Sequence, residues 1–299
     1  MTERRLPIQT ATSALAPVKD LARKSSLELM SQPGLSRMVG LLADNEFPAP
    51  VVQTAIRWYI RHYNVDTSEM EHPPEHYKSF DAFFTRKLRE GVHVIDESPT
   101  VAVSPVDGRV LNFGRISDGR IDQIKGRSYR VEELLDSADE AARFAKGHYV
   151  TIYLSPRDYH RIHCPISGRI TGFRYVAGRL YPVNQLGVQN VDKLFAVNER
   201  LISYIESDLG GFAVAKVGAT NVGKITASYH EITTNVGRRT SYDEVFRRKV
   251  AINKGDELGQ FHMGSTVVLL TERAELRPID LTENQYLRVG ETLFNYQTD

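Results

Sequence analysis

From about Val101 onward the chain is a succession of short apolar runs punctuated by glycine, and this texture constrains the fold more than any other feature of its 299 residues. Tyr149-Val150-Thr151-Ile152-Tyr153-Leu154 is rich in β-branched and aromatic residues, which suit a pleated, half-buried surface. Leu201–Ile205 and Phe212–Val217 flank Asp208-Leu209-Gly210-Gly211 and read as a hairpin. A further pair of strands is expected around Lys254-Gly255-Asp256-Glu257, running into Thr266-Val267-Val268-Leu269-Leu270. The residues before Val101 have a different period. Leu35, Met38, Val39 and Leu42 fall on one helical face, and beyond Pro48 and Pro50 a longer stripe follows, formed by Val52, Ala55, Ile56, Tyr59, Ile60 and Tyr63. A third, short helix is expected over residues 79–84, with Ser79 as its cap. The predicted class is α+β, with N-terminal amphipathic helices packed on a largely antiparallel β core. The expected organisation is a flexible stretch over 1–26, a helical region over 27–95 and a β-rich domain over 96–299.

Composition removes several alternatives. Hydrophobic residues at 41% and charged residues at 25% exclude wholesale disorder. Thirty-eight Lys and Arg against 37 Asp and Glu leave a charge of +1, so there is no global electrostatic case for a nucleic-acid partner. The single cysteine, Cys164, excludes an intrachain disulfide and a multi-cysteine metal site, and fits a reducing compartment. No stretch approaches the roughly eighteen apolar residues that span a bilayer. Arg4 and Arg5 have no sustained apolar segment behind them, so the N-terminus is a poor secretory signal and is expected to be a frayed, cytoplasmic end. Trp58, flanked by Arg57 and Arg61, lies off the apolar stripe. It either covers the edge of a core-facing helix or sits at the headgroup level of a membrane, and pattern alone favours the former.

Three polar sites interrupt the β framework. Asp107 follows proline in Ser104-Pro105-Val106-Asp107-Gly108, which is turn chemistry or a carboxylate placed to orient an imidazole. His160 and His163, bracketed by Pro156 and Pro165, cannot sit inside a long helix and belong in a loop or single turn after the strand ending near Leu154. Local hydrogen bonding and metal ligation with Asp158 or Cys164 are alternatives. The spacing is not a zinc pattern, so no metal is expected, and acid–base chemistry suits the imidazoles better. Ser265 follows Gly264 where an apolar strand begins, either as a turn residue or as a nucleophile. Asp107, His163 and Ser265 together supply the parts of a relay that activates serine. A serine hydrolase would be expected to show Gly-x-Ser-x-Gly, and Ser265 lacks the second glycine, which favours another use of the same parts.

The segments KSFDAFFTRKLRE, SPVDGRV, YLSPRDYHRIHCPISGRI, PVNQLGVQNVDKLFAVNER, VGATNVGKI and KGDELGQFHMGSTVVLL, spread from Lys78 to Leu270, resemble those of the membrane-associated bacterial and mitochondrial phosphatidylserine decarboxylases. The resemblance implies a zymogen cut between Gly264 and Ser265 into a β chain, 1–264, and an α chain, 265–299, that stay together. It implies that Asp107 orients His163, that His163 takes the Ser265 proton, and that Ser265 becomes a covalent pyruvoyl group condensing with the amine of phosphatidylserine. His160 is implied as proton donor to the decarboxylated carbon. Met263 stands where leucine is commoner. A lipid substrate makes the Trp58 helix a membrane-surface anchor, and implies a peripheral protein on an anionic bilayer at the cytoplasmic face of the inner membrane, with a homodimer allowed. The competing readings are a serine hydrolase or esterase using Asp107, His163 and Ser265 without self-cleavage, and a non-catalytic lipid-binding protein. Cys164 is read as packing.

Overall fold

The computed structural model describes residues 31, 45, 47–124, 126–220, 224–237, 240–262 and 265–297. The stretch 1–26, the helix expected around Leu35 to Leu42, and Met263 and Gly264 lie outside the described residues.

Helix α1 spans Ala49–Tyr63. Pro50 falls in its first turn, where a missing N–H costs nothing because that group has no intrahelical partner. Asn64, in the left-handed conformation at φ 53°, ends the helix by returning its N–H to the Ile60 carbonyl. Val52, Ile56 and Tyr59 are its buried face. They pack with Met70, Tyr77, Phe83 and Phe84 in a small apolar cluster of their own. Helix α2, Phe80–Phe84, carries the predicted cap: Ser79 Oγ accepts the Ala82 N–H at 3.1 Å.

The β framework contains β1 (Val101–Val103), β2 (Gly108–Arg115), β3 (Arg120–Ile124), β4 (Arg127–Arg130), β5 (His148–Leu154), β6 (Arg161–His163), β7 (Gly168–Val176) and β8 (Arg200–Ser207). It continues with β9 (Gly210–Val217), β10 (Lys224–Ala227), β11 (Tyr242–Ile252), β12 (Glu257–His262), β13 (Ser265–Thr271), β14 (Leu276–Pro278), β15 (Tyr286–Leu287) and β16 (Thr292–Tyr296). Eight of these form one sheet in the order β11-β7-β8-β9-β13-β5-β2-β15, and every neighbouring pair is antiparallel. A three-stranded sheet, β10-β12-β6, carries the histidine block, and β1-β16-β14 forms another.

The large sheet is buried on both faces, which is why its central strands read as continuous apolar runs rather than alternating ones. Val267 and Leu269 of β13 enter one core cluster with Ile162, Cys164 and Phe261. Val268 and Leu270 enter a second, on the opposite face, with Leu134, Phe144 and Phe195 from the short helices. The α+β class and the antiparallel core are as expected. The predicted hairpin is β8–β9, turning at Asp208 and Leu209 with Ser207 opposite Gly210. The strands expected around residues 254–257 exist as β11 and β12 but do not pair with each other. β11 joins the large sheet through β7, and β12 lies between β10 and β6, so the intervening turn carries the chain from one sheet to the other.

Candidate active site

Ser265 begins β13 and lies opposite Leu154, the last residue of β5. Arg109 lies opposite Tyr153 on the other side of β5. The Asp107-Gly108 step therefore sits at the same end of the sheet as Ser265, two strand spacings or about 10 Å away. A Cβ on Gly108 would meet the Tyr153 carbonyl oxygen at 2.5 Å, so the turn can approach β5 this closely only with glycine.

Beyond Leu154 the chain closes a tight loop. Asp158 Oδ2 accepts the Ser155 N–H at 2.6 Å and the Ser155 hydroxyl at 2.7 Å. His160 follows, fully buried, its ring 4.0 Å from that of Phe84 on α2 and its carbonyl accepting the Phe261 N–H of β12. Its Nδ1 is 2.8 Å from the Asp158 carbonyl. A carbonyl only accepts, so Nδ1 carries the hydrogen and Nε2 holds the lone pair. That Nε2 is buried with no hydrogen-bond partner among the described residues. Burial, then the nearby Arg86 charge, pushes the imidazole down to about 3 and keeps it neutral.

His163 ends β6 opposite Glu257. Its Nδ1 is 2.6 Å from the Gly255 carbonyl and its Nε2 is 3.0 Å from the Tyr159 hydroxyl. The same logic assigns the hydrogen to Nδ1 and makes Nε2 the basic atom, with Tyr159 donating to it. Gly255 can aim its carbonyl this way because it sits at φ +84°, in the region that favours glycine. Burial lowers the His163 pKa, partly opposed by the Gly255 hydrogen bond.

Asp107 is buried, accepts the Val289 N–H at 2.7 Å, and lies 2.9 Å from His93 Nε2. The carboxylate therefore meets His93 rather than His163. The two imidazoles are neighbours, with ring centroids 6.2 Å apart. Holding the His163 tautomer, the task expected of Asp107, is carried out here by the Gly255 carbonyl. The structure gathers Asp107, His93, Tyr159 and His163 into one cluster, and it places Ser265 by backbone register.

Sequence reasoning missed His93, which stands alone in the sequence, and Tyr159, which lay in plain view beside His160. It also passed over His262, the last residue of β12 and two residues before Gly264. His262 Nδ1 is 2.8 Å from Asp81 Oδ2 on α2, and its Nε2 is 3.2 Å from Thr226 Oγ1 on β10. Cys164 is buried, donates to the Ile166 carbonyl at 3.1 Å, and has a thiol pushed up to about 12 by burial.

Comparison with known proteins is consistent along the chain. A family model described as phosphatidylserine decarboxylase matches residues 80–295. A phosphatidylserine decarboxylase proenzyme of Myxococcus xanthus is 45% identical over 268 residues, covering 89% of this chain and 95% of that protein. The proenzyme of Brevibacillus brevis is 45% identical over 249 residues, covering 83% and 88%. That of an Anaeromyxobacter species is 44% identical over 273 residues, covering 90% and 96%.

The neutral, buried His160 has a consequence for stability. Below about pH 6.5 an unfolded chain protonates this ring, whereas the folded one resists until about pH 3. The unfolded state thus binds more protons in that window, and folding is weakened as pH falls through it. Denaturant titrations across this range should give the wild type a steeper loss than His160→Gln, by up to about 1.4 kcal/mol per pH unit. Parallel stability curves for the two proteins would contradict the assignment.

Proposed function

This chain belongs to the phosphatidylserine decarboxylase family, and on that premise we propose that it cuts itself between Gly264 and Ser265 and then converts phosphatidylserine to phosphatidylethanolamine. The observation that carries the reading is the strand register that sets Ser265 at the same end of the sheet as the Asp107–His93–His163 cluster. In the first reaction the Ser265 hydroxyl attacks the Gly264 carbonyl carbon. An ester forms, the peptide C–N bond breaks, and the amine of residue 265 leaves. His163 Nε2, whose tautomer leaves it basic, takes the hydroxyl proton and returns it to the departing nitrogen. Asp107 acts through His93, offsetting positive charge that develops on His163 in a site of low dielectric. Attack within one chain replaces a bimolecular encounter, an advantage that reaches roughly 7–11 kcal/mol when alignment is good.

Elimination of the Gly264 carboxylate and hydrolytic loss of ammonia leave a pyruvoyl group at residue 265. Such a group supplies the electron sink that ordinary side chains lack. Its fit to this chain rests on His160: a buried imidazole whose Nε2 is orphaned suits a dry pocket where a proton must be handled beside a reacting carbon. His160 is neutral in the free protein, and an incoming substrate carboxylate raises its proton affinity, so Nε2 can accept a proton and deliver it to the decarboxylated carbon. The α chain stays bound because β13 is hydrogen-bonded to β9 on one side and β5 on the other.

A lipid substrate also gives α1 a role. Trp58 and Val51 are exposed on the helix, one 59% and the other 56%, on the side away from the buried Val52, Ile56 and Tyr59. Trp58 between Arg57 and Arg61 suits the headgroup level of an anionic bilayer, with the helix lying in the plane of the cytoplasmic face of the inner membrane. Among the described residues no helix is long and apolar enough to cross a membrane.

Denaturing gels with mass analysis test the cleavage. Wild type should give two pieces, split after Gly264, the smaller with a carbonyl-reactive terminus. Ser265→Ala and His163→Ala should each remain one full-length polypeptide, and a fragment pair from either variant would refute the relay. A serine esterase would keep the intact mass of 33.8 kDa. His160→Ala should cleave normally yet turn over about 100-fold more slowly or worse, and full turnover by the cleaved variant would exclude its donor role. Co-sedimentation with anionic vesicles should drop when Trp58→Ala is combined with Arg57→Glu and Arg61→Glu; undiminished sedimentation would remove α1 as the anchor.

A further inference from the structure

Next to the histidine block, between α2 and the residues leading into it, lies an open cavity of about 690 Å³. That volume falls within the roughly 300–1,000 Å³ usual for small-molecule sites. Its lining is rich in cations: Lys78, Arg86, Lys87 and Arg161 face a single carboxylate, Glu71. Arg161 is already engaged, with Nη1 2.6 Å from Glu257 and Nε bonded to the Thr85 carbonyl. Lys78, Lys87 and Arg86 form no ion pair among the described residues.

Arg86 is the unusual member. It is only 3% exposed, and its Nη2 donates to the carbonyls of Arg157 at 3.0 Å and Asp158 at 3.3 Å. Its Nε and Nη1 are buried with no hydrogen-bond partner among the described residues. A guanidinium held out of water with two free donors and no bound carboxylate is costly, and an anion accepting from its fork relieves that cost. A second cavity, of about 410 Å³, also touches Arg86, but four carboxylates line it, those of Asp66, Glu69, Asp107 and Asp158. An anion would be repelled there.

The position of Arg86 says what the anion belongs to. The Asp158 carbonyl that Arg86 grips is the one that accepts the His160 Nδ1 hydrogen at 2.8 Å. An anion held by Arg86 thus sits one residue from the imidazole assigned to the decarboxylation, with Lys78 and Lys87 at the open side. We infer that this cavity binds the phosphate of a glycerophospholipid headgroup, with Arg86 at its base and Lys78 and Lys87 at its mouth. Identification of the lipid as substrate rests on the decarboxylase reading, whereas the phosphate chemistry of the cavity does not.

The test uses the full-length, self-processed protein and dihexanoyl phosphatidylglycerol, a soluble phosphodiester lipid that has no carboxylate to lose. Isothermal titration should give a Kd that rises about tenfold in Lys78→Ala/Lys87→Ala, the scale expected for losing charge-assisted contacts. Lys146→Ala, an exposed lysine outside the cavity, should leave it unchanged. Arg86→Gln should weaken binding further; if that variant does not fold, the lysine pair decides alone. With dihexanoyl phosphatidylserine the lysine pair should raise KM about tenfold and leave kcat within about twofold. Inorganic phosphate should compete with the lipid. Phosphate binding without lipid binding would overturn the lipid assignment, and lipid binding indifferent to both lysines would overturn the site. A protein that binds phosphatidylglycerol as expected but never cleaves itself would sink the decarboxylase reading and leave this one standing.

Discussion

The pairing of β13 on both sides is the constraint on which the rest depends. Its residues face β5 in one direction and β9 in the other, so the strand cannot slip by a residue without exchanging the apolar sets of two cores. That rigidity fixes the backbone of Ser265 relative to Leu154, and through β5 relative to the Asp107-Gly108 turn. A nucleophile on a loop could be repositioned by neighbouring side chains. One at the first residue of a doubly paired strand is positioned by the whole sheet. The same pairing explains how a chain can be cut at residue 264 and keep its architecture. The short C-terminal piece contributes a central strand, and leaving would expose both cores at once.

Burial, rather than charge, sets the chemistry of the two histidines. Each gives its Nδ1 hydrogen to a backbone carbonyl, which leaves Nε2 as the atom that meets a reacting group, and each has its pKa lowered chiefly by desolvation. Their surroundings then part them. His163 has a hydroxyl on Nε2 and a second imidazole and a carboxylate beyond it, so positive charge on the ring can be offset. His160 has an aromatic ring against it and nothing on Nε2, so it stays neutral until something negative arrives. Two imidazoles three residues apart are thereby fitted to two different proton transfers, as paired groups in contrasting environments commonly are.

How much of this was legible in the sequence varied with the range of the interaction involved. Local signals carried well: the Ser79 cap, the Val52–Ile56–Tyr59 stripe, the β8–β9 hairpin and the strand ending at Leu154 all depend on neighbours within a few residues. The partners of β11 and β12 did not carry, because antiparallel pairing between segments some ninety residues apart, such as Glu257 with His163, leaves no mark on local pattern. The same limit explains the site. Asp107, His160, His163 and Ser265 announce themselves by motif, but the contact between His93 and Asp107 depends on how the chain folds back along residues 93–107. A carbonyl such as that of Gly255 has no side-chain signature at all.

The helical segment before the β framework is tied to the site by polar contacts as well as by packing. Tyr59 of α1 donates to the Pro156 carbonyl at 2.8 Å, Arg86 grips the next two carbonyls along, and Asp81 of α2 holds His262. These bonds fall on the loop before His160 and on the last residue of β12, the two segments that flank the chemistry. Directional bonds of this kind resist sliding in a way that apolar contact alone does not. A helix that rests on a bilayer through Trp58 would therefore hold the loop bearing His160 at a set height above the headgroups. The N-terminal segment then does more than bring the protein to its substrate, because the bonds that anchor it to the β framework also determine where in the headgroup layer the reacting groups meet the lipid.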